Sequence, residues 1–365
     1  MALSNPQSSV TELSIADIQA RFAQGLLTCT ELTQRLLQRI ERYDKQGPGL
    51  NALITVNPHA LDTARHKDRE YGSNPAAVGP LHGIPVIVKD NYNTADLPTT
   101  GGSVVLAHAR PPQDCFVVQQ LRKAGALILA KANLTELAMG GTTLSSFGGQ
   151  TRNPYDVLRT PGGSSGGTAA AITANFGILG TGSDTGQSTR SPASATNLVG
   201  IRPTRGLVSR SGILPISSTQ DEAGPLTRSV ADAARMLAVM AGYDPDDPIT
   251  AFGQRQQPHS YVSSLDRDGL RGARIGLLTD LMGTEAIHEE VNGAVHNAIQ
   301  LMEQLGATVL SIAMPRLPIS ITDVAMGRFE FREAFNRYLA RLGPEVTPQL
   351  TVVPGPLLDE AFERM

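Results

Sequence analysis

Between Thr160 and Thr204 the chain carries TPGGSSGGTAAAITANFGILGTGSDTGQSTRSPASATNLVGIRPT, a block whose glycines and serines leave few ways to fold. Two serine-bearing glycine loops, Gly162–Gly167 and Gly180–Ser188, bracket one short helix and one short strand. Glycine lets backbone approach a ligand closely and lets N–H groups converge on one point. Serines among those glycines bring hydroxyls to the same point, which suits a nucleophile beside an anion-stabilising pocket. Upstream, the apolar run Ile84-Pro85-Val86-Ile87-Val88 ends at Lys89 and Asp90. A lysine ending a buried strand is where a desolvated, neutral amine can serve as a base.

The remaining composition mostly excludes. A length of 365 residues fits one large domain or two and can bury a substantial core. With 41% hydrophobic and 18% charged residues, the chain reads as an ordinary globular protein. A formal net charge of −3 gives no electrostatic reason to expect nucleic acid or an anionic membrane as partner. The two cysteines, Cys29 and Cys115, form no CxxC, which argues against a disulfide framework and a thiolate metal cage. The histidines, at 59, 66, 82, 108, 259, 288 and 296, have no metal-ligand spacing, so neither metal nor other cofactor is expected. The start, MALSNPQSSV, lacks a basic region before an apolar core, and no apolar run approaches a membrane span. A cytoplasmic protein is the expectation.

Hydrophobic periodicity predicts alternating helices and strands. Ser14 caps a helix from Ile15 to Gln24, and Thr30-Glu31-Leu32 opens a second with Leu32, Leu36, Leu37 and Ile40 as its apolar stripe. Leu50–Val56, Ile84–Val88 and Ala126–Ala130 read as strands, and Pro58–Tyr71 and Asp114–Lys123 as helices. Ser229 starts a helix with Asp232 three residues on, a capping-box pattern, and Val230, Ala233, Met236, Leu237 and Met240 share its apolar face. Asp244–Ser260 reads as an exposed connection, followed by a strand–helix–strand unit at Arg274–Leu278, Glu285–Leu305 and Ala307–Ala313. Alternation of this kind predicts an α/β architecture with a central sheet.

Five ordered blocks resemble the amidase signature family of Ser–cisSer–Lys hydrolases: HGIPVIVKDN at 82–91, GALILAKANLTELA at 125–138, GGSSGG at 162–167, GTGSDTGQSTRSP at 180–192 and GPLTRSVADAA at 224–234. The spacing of Ser164 and Ser188 is also the family's, and SSFGGQTRNPYD at 145–156 continues the likeness. The resemblance implies a single large α/β domain, a mixed twisted central sheet flanked by helices. Within 1–365, residues 1–75 are an N-terminal helical region, 76–243 the signature core and 261–365 a partial C-terminal region. Because family members continue further, the sheet is expected to be incomplete toward the C-terminus, where the chain ends in LLDEAFERM.

The same resemblance implies the chemistry. Ser188 is the nucleophile, Ser164 the bridging serine after a cis Gly163–Ser164 bond, and Lys89 the base, neutral and well below its ordinary pKa of about 10.4. Backbone N–H groups of Thr185, Gly186, Gln187 and Ser188 form the oxyanion hole. Family members commonly carry glycine where Gln187 stands, so Gln187 is expected to shape the pocket with Met139, Ser146 and Phe147. Asp184 and Arg190 hold the nucleophile loop through charge-assisted hydrogen bonds. The three reacting groups converge near one sheet edge. Lys131, also ending a strand, stands as the rival base, and Ser165 and Thr185 as competing hydroxyls.

Two other readings fit parts of the chain. Gly163–Gly167 satisfies the G-x-S-x-G of an α/β-hydrolase, but no apolar strand precedes it and no histidine sits in a suitable late loop. A phosphate cradle at Gly162–Gly167 lacks the lysine such loops need. The sequence therefore predicts an amidase releasing ammonia or an amine from a small-molecule amide, with a homodimer left open. The alternatives are a glutaminase-type subunit of a tRNA-dependent amidotransferase, or an inactive fragment with a non-catalytic place in an assembly.

Overall fold

A computed structural model describes residues 10–253, 261–314 and 325–343. The chain divides into a larger unit, Met1–Ser260 with Phe329–Met365, and a smaller one, Tyr261–Arg328. The larger unit begins with two helices whose starts the sequence encodes. Ser14 caps α1 (Ile15–Ala23) in a reciprocal capping box with Asp17, and Thr28 caps α2 (Cys29–Tyr43) in another with Glu31. Leu32, Leu36 and Ile40 of α2 are buried, at helical spacing.

A six-stranded sheet follows. Its members are β1 (Leu53–Val56), β2 (Pro85–Lys89), β3 (Leu127–Ala132), β6 (Leu179–Asp184), β7 (Val199–Gly200) and β8 (Glu222–Thr227), in the order β1-β3-β2-β6-β8-β7. Strands β3, β2 and β6 are parallel, whereas β1, β8 and β7 join antiparallel, so the sheet is mixed. Every residue of β2, β3, β6 and β8 is buried, which explains why the PVIV and LILA runs do not alternate with polar residues. The short pair β4 (Leu144–Ser145) and β5 (Gly149–Gln150) stands apart.

Helix α3 (Ala60–Ser73) packs on α2 and β3, and α4 (Phe116–Lys123) on β3 and α7 (Val230–Met240). Helix α5 (Gly166–Thr173), buried from Gly166 to Ile172, contacts five strands. Gly180 permits that contact, since a Cβ there would lie 2.4 Å from Thr168 Cγ2. A short helix, α6 (Arg190–Ala195), follows β6.

Several local expectations change. Gly180–Asp184 is strand rather than loop, leaving only the turn before α6 irregular. Val230 at the start of α7 is 56% exposed and outside the apolar face. Asp232 does not complete a capping box. Its amide bonds to the Ser229 hydroxyl, but its carboxylate accepts from the Ile15 amide at 3.1 Å and so ties α7 to α1. In Asp244–Ser260, Asp244, Asp247 and Thr250 are buried: Asp247 pairs with Arg210 at 2.7 Å and Asp244 accepts from Ser209 and Ser211. His259 and LLDEAFERM lie outside the described residues.

The smaller unit contains β9 (Arg274–Leu278), α8 (Glu289–Gln304) and β10 (Thr308–Ile312), with the strands paired in parallel. This is the strand–helix–strand order the sequence predicts, with the helix starting later because a 3-10 turn occupies Ala286–His288. From Phe329 onward, α9 (Gly327–Leu342) belongs to the larger unit, where Tyr338 and Leu342 pack with Leu106, Ala109 and Leu214.

Candidate active site

Lys89 is the last residue of β2 and is fully buried. Its Nζ lies 2.7 Å from Ser164 Oγ, 2.9 Å from Ser183 Oγ and 3.3 Å from the Ser183 carbonyl. A neutral amine has two N–H groups and one lone pair. If the two Ser183 oxygens take the N–H groups, the lone pair faces the Ser164 hydroxyl. Burial pushes the Lys89 pKa down to about 7, against the opposing pull of Asp184 and Asp221. Asn91 Nδ2 donates to Ser183 Oγ at 3.0 Å and helps hold it in place.

The two serine loops meet beside this lysine. The Gly163–Ser164 peptide is cis. Ser164 is fully buried, its carbonyl accepts from the Thr135 amide at 3.1 Å, and the Ser165 amide donates to the Ser188 carbonyl at 3.2 Å. Close packing explains the glycines around them. A Cβ on Gly163 would lie 2.7 Å from the Gly141 carbonyl carbon, and one on Gly167 would lie 2.1 Å from the Asn133 oxygen. Ser165 Oγ donates to the Ser183 carbonyl at 3.3 Å, an acceptor it shares with Lys89 Nζ.

Ser188 is 7% exposed, and Gly186 and Gln187 before it face solvent. The amides of Gly186, Gln187 and Ser188 donate to no acceptor among the described residues. Gln187 does not adopt left-handed backbone, so its side chain costs nothing conformationally there. Its Nε2 lies 3.0 Å from where a Cβ on Gly141 would stand, so the side chain reaches toward the Gly140–Gly141 segment. Met139, half-buried, directly precedes that segment, whereas Ser146 and Phe147 are exposed.

Asp184 closes the turn from below. Its carboxylate accepts from the Thr189 amide at 3.0 Å and pairs with Arg190 and Arg202, each at 3.1 Å. Burial pushes its pKa up, but these partners win and hold it below the ordinary carboxylate value. The Thr185 hydroxyl is engaged by Asp221, to which it donates at 2.5 Å. Lys131, the rival base, is committed elsewhere: its Nζ pairs with buried Asp90 at 3.0 Å and donates to Thr99 Oγ1 at 2.8 Å and to the Tyr92 and Pro98 carbonyls at 3.0 Å.

The convergence point also differs from expectation. Strands β2 and β6 occupy the middle of the six-stranded order, so Lys89 and Ser183 meet at the carboxyl ends of central strands rather than at a sheet edge. Sequence reasoning missed Ser183 and Asn91. A cavity of about 990 Å³ adjoins the turn at Ser183 and Thr185, with Tyr338 of α9 on its wall, but Lys89, Ser164 and Ser188 do not line it. His82 packs on Tyr71 and bonds to the Lys67 carbonyl at 3.0 Å, a structural role. Among the described residues no group of three or more His, Cys, Asp and Glu is placed to hold a metal ion, and no helix is long and apolar enough to cross a membrane.

Comparison with known proteins identifies the family and the fold. The glutamyl-tRNA(Gln) amidotransferase A subunit from Alkaliphilus metalliredigens (strain QYMF) is 39% identical over 88% of this chain and 63% of its own length. Its counterpart from Lawsonia intracellularis is 40% identical over 84% of this chain and 62% of its own. The chain thus spans less than two thirds of these curated relatives. Among solved structures, a peptide amidase in complex with chymostatin superposes with a TM-score of 0.84 at 41% identity, covering 92% of this chain and 69% of that one. The native peptide amidase from Stenotrophomonas maltophilia gives 0.84 at 38%, covering 95% and 77%. The amidotransferase A subunit from Thermotoga maritima gives 0.75 at 31%, covering 97% and 72%. The family profile described as Amidase matches residues 31–353, and with relatives of this similarity the chain belongs to the amidase family.

Proposed function

We propose that the chain hydrolyses a carboxylic amide through a seryl acyl-enzyme, with Ser188 as nucleophile, Ser164 as proton relay and Lys89 as base. The observation that carries this reading is the 2.7 Å contact between a fully buried Lys89 amine and Ser164 Oγ. As Ser188 Oγ attacks the amide carbon, its proton passes to Ser164 Oγ while the Ser164 proton passes to Lys89 Nζ. The tetrahedral oxyanion is met by the Thr185–Ser188 amides, of which Gly186, Gln187 and Ser188 have no other acceptor among the described residues. The relay then returns a proton to the leaving nitrogen, and water releases the carboxylate by the same route. Gln187 and Met139, both beside the Gly140–Gly141 segment, are assigned to substrate contact, and the cavity beside Ser183 and Thr185, which neither of them lines, can take substrate groups remote from the reacting carbon.

For the substrate, the curated relatives named as amidotransferase A subunits favour the carboxamide of glutamine, in an assembly with further chains. That favours the glutaminase-type alternative over the sequence-based expectation of an amidase acting on a small-molecule amide. A second reading, a peptide amide, is supported by the higher structural similarity to peptide amidases. Ammonia release from glutamine, an amidated dipeptide and simple primary amides, measured for wild type and Lys89→Ala, tests both. Turnover of one of these by wild type alone supports the mechanism. Equal turnover by Lys89→Ala removes Lys89 as base.

A further inference from the structure

The Thr185–Ser188 turn has an unequal set of anchors. At its far end Asp184 accepts from the Thr189 amide and from Arg190. Its middle residues, Gly186 and Gln187, face solvent and their amides donate to nothing among the described residues. At its near end the Thr185 hydroxyl donates to Asp221 Oδ1 at 2.5 Å, while Arg202 bridges the Asp184 carbonyl and, at 2.7 Å, the Gln220 carbonyl. Asp221 is itself rigidly held: Oδ2 accepts from the Ile216 and Ser217 amides at 2.7 and 3.0 Å, and its own amide donates to the Ser217 carbonyl at 3.2 Å.

The 216–221 loop is fixed from a second side by α9. Glu330 accepts from the Ser217 hydroxyl, from the Thr219 amide at 3.1 Å and from the Thr219 hydroxyl at 2.9 Å. Arg210 donates to the Ser218 carbonyl at 2.6 Å. A platform this constrained serves as a fixed point for a turn whose middle N–H groups donate to no acceptor among the described residues and whose middle residues are held only through the Gly186 and Gln187 carbonyls, which accept from Arg190 and the Ser191 amide.

We infer that Asp221 is a positioning residue for the proposed amide hydrolysis, fixing the amides of the Thr185–Ser188 turn through the Thr185 hydroxyl. The inference rests on the function proposed above. A charge-assisted hydrogen bond between a carboxylate and a hydroxyl is short and directional, as the 2.5 Å contact is. Its loss lets the turn drift, and a displacement of about 1 Å at a reacting centre can cost about 10²-fold in rate.

Thr185→Val removes the hydroxyl and keeps the shape. We expect kcat to fall about 10²-fold with KM within roughly twofold of wild type, and Thr185→Ser to recover most of the loss. Asp221→Asn should lower kcat as well and also move the acid limb of its pH profile to lower pH, because the Asp221 charge favours protonated Lys89. The limb should stay in place in Thr185→Val, a split that general destabilisation does not produce. Hydrogen exchange at the Ser165 and Ser191 amides, which donate to the Ser188 and Gln187 carbonyls of the turn, gives a readout independent of turnover, and it should quicken in Thr185→Val relative to Thr185→Ser. If wild type hydrolyses no amide but this exchange contrast is present, the proposed function fails and the clamp stands. Unchanged kcat and unchanged exchange in Thr185→Val overturn the clamp.

Discussion

Replacing Lys89 by Met is expected to stabilise the fold near neutral pH while removing any amide turnover. The side chain is fully buried, and its pKa falls from 10.5 to about 7, chiefly through desolvation. At about 1.4 kcal/mol for each tenfold change in proton affinity, that fall corresponds to roughly 5 kcal/mol of folding cost at pH 7 and below. Between about pH 7 and 10.5 the unfolded chain holds this proton and the folded chain does not. Stability from this site therefore rises with pH across that window, is complete above about 10.5, and is lost as pH falls toward 7. Methionine carries no proton in either state. It also forfeits the contacts of Nζ with Ser164 and Ser183 and leaves buried hydroxyls short of a partner, an offset of about 1–3 kcal/mol. The net gain at pH 7 is then about 2–4 kcal/mol. Urea unfolding of wild type and Lys89→Met at pH 7, 8, 9 and 10 checks this. The two stabilities should converge and then cross as pH rises. Parallel pH dependence in the two proteins would refute a desolvated, neutral Lys89.

Two further substitutions separate chemistry from scaffold. Gln187→Gly keeps the backbone donor, so it should alter the ranking of substrates in kcat/KM without the ~10²–10³ loss in kcat typical of a missing oxyanion donor, and a loss of that size would contradict the role given to Gln187. Lys131→Met leaves Asp90 buried without its cation, so it should destabilise by about 3–5 kcal/mol in denaturant titration. A Lys131→Met protein that is stable but inactive would restore Lys131 as a candidate base.

Pattern rather than residue type made Lys89, Ser164 and Ser188 legible as candidates: alone, a strand-ending lysine or a serine among glycines is usually structural, and it is their ordered blocks, at spacing resembling the amidase signature family, that single them out. The strands around them were legible for the same reason: continuous apolar runs such as PVIV and LILA mark buried central strands. Ser183 escaped because Gly180–Asp184 reads as loop when its glycines are taken at face value. As a strand, its period of two puts Thr181 and Ser183 on one face, and both meet Lys89, Thr181 through the Lys89 amide at 2.9 Å. That alternation was the available signal. Lys131 was harder to judge, since only the pairing of β2 with β3 brings Asp90 to it. Asp221 lies in a loop with no periodicity, and its contact with Thr185 depends on tertiary placement alone.

The central claim is that Ser188, and neither Ser164 nor Ser165, bears the acyl group. A fluorophosphonate probe followed by peptide mass spectrometry reads this directly. The account predicts a single adduct on the peptide carrying Ser188, absent from Ser188→Ala and strongly reduced in Lys89→Ala. An adduct on Ser164 or Ser165 that persists in Ser188→Ala would contradict it.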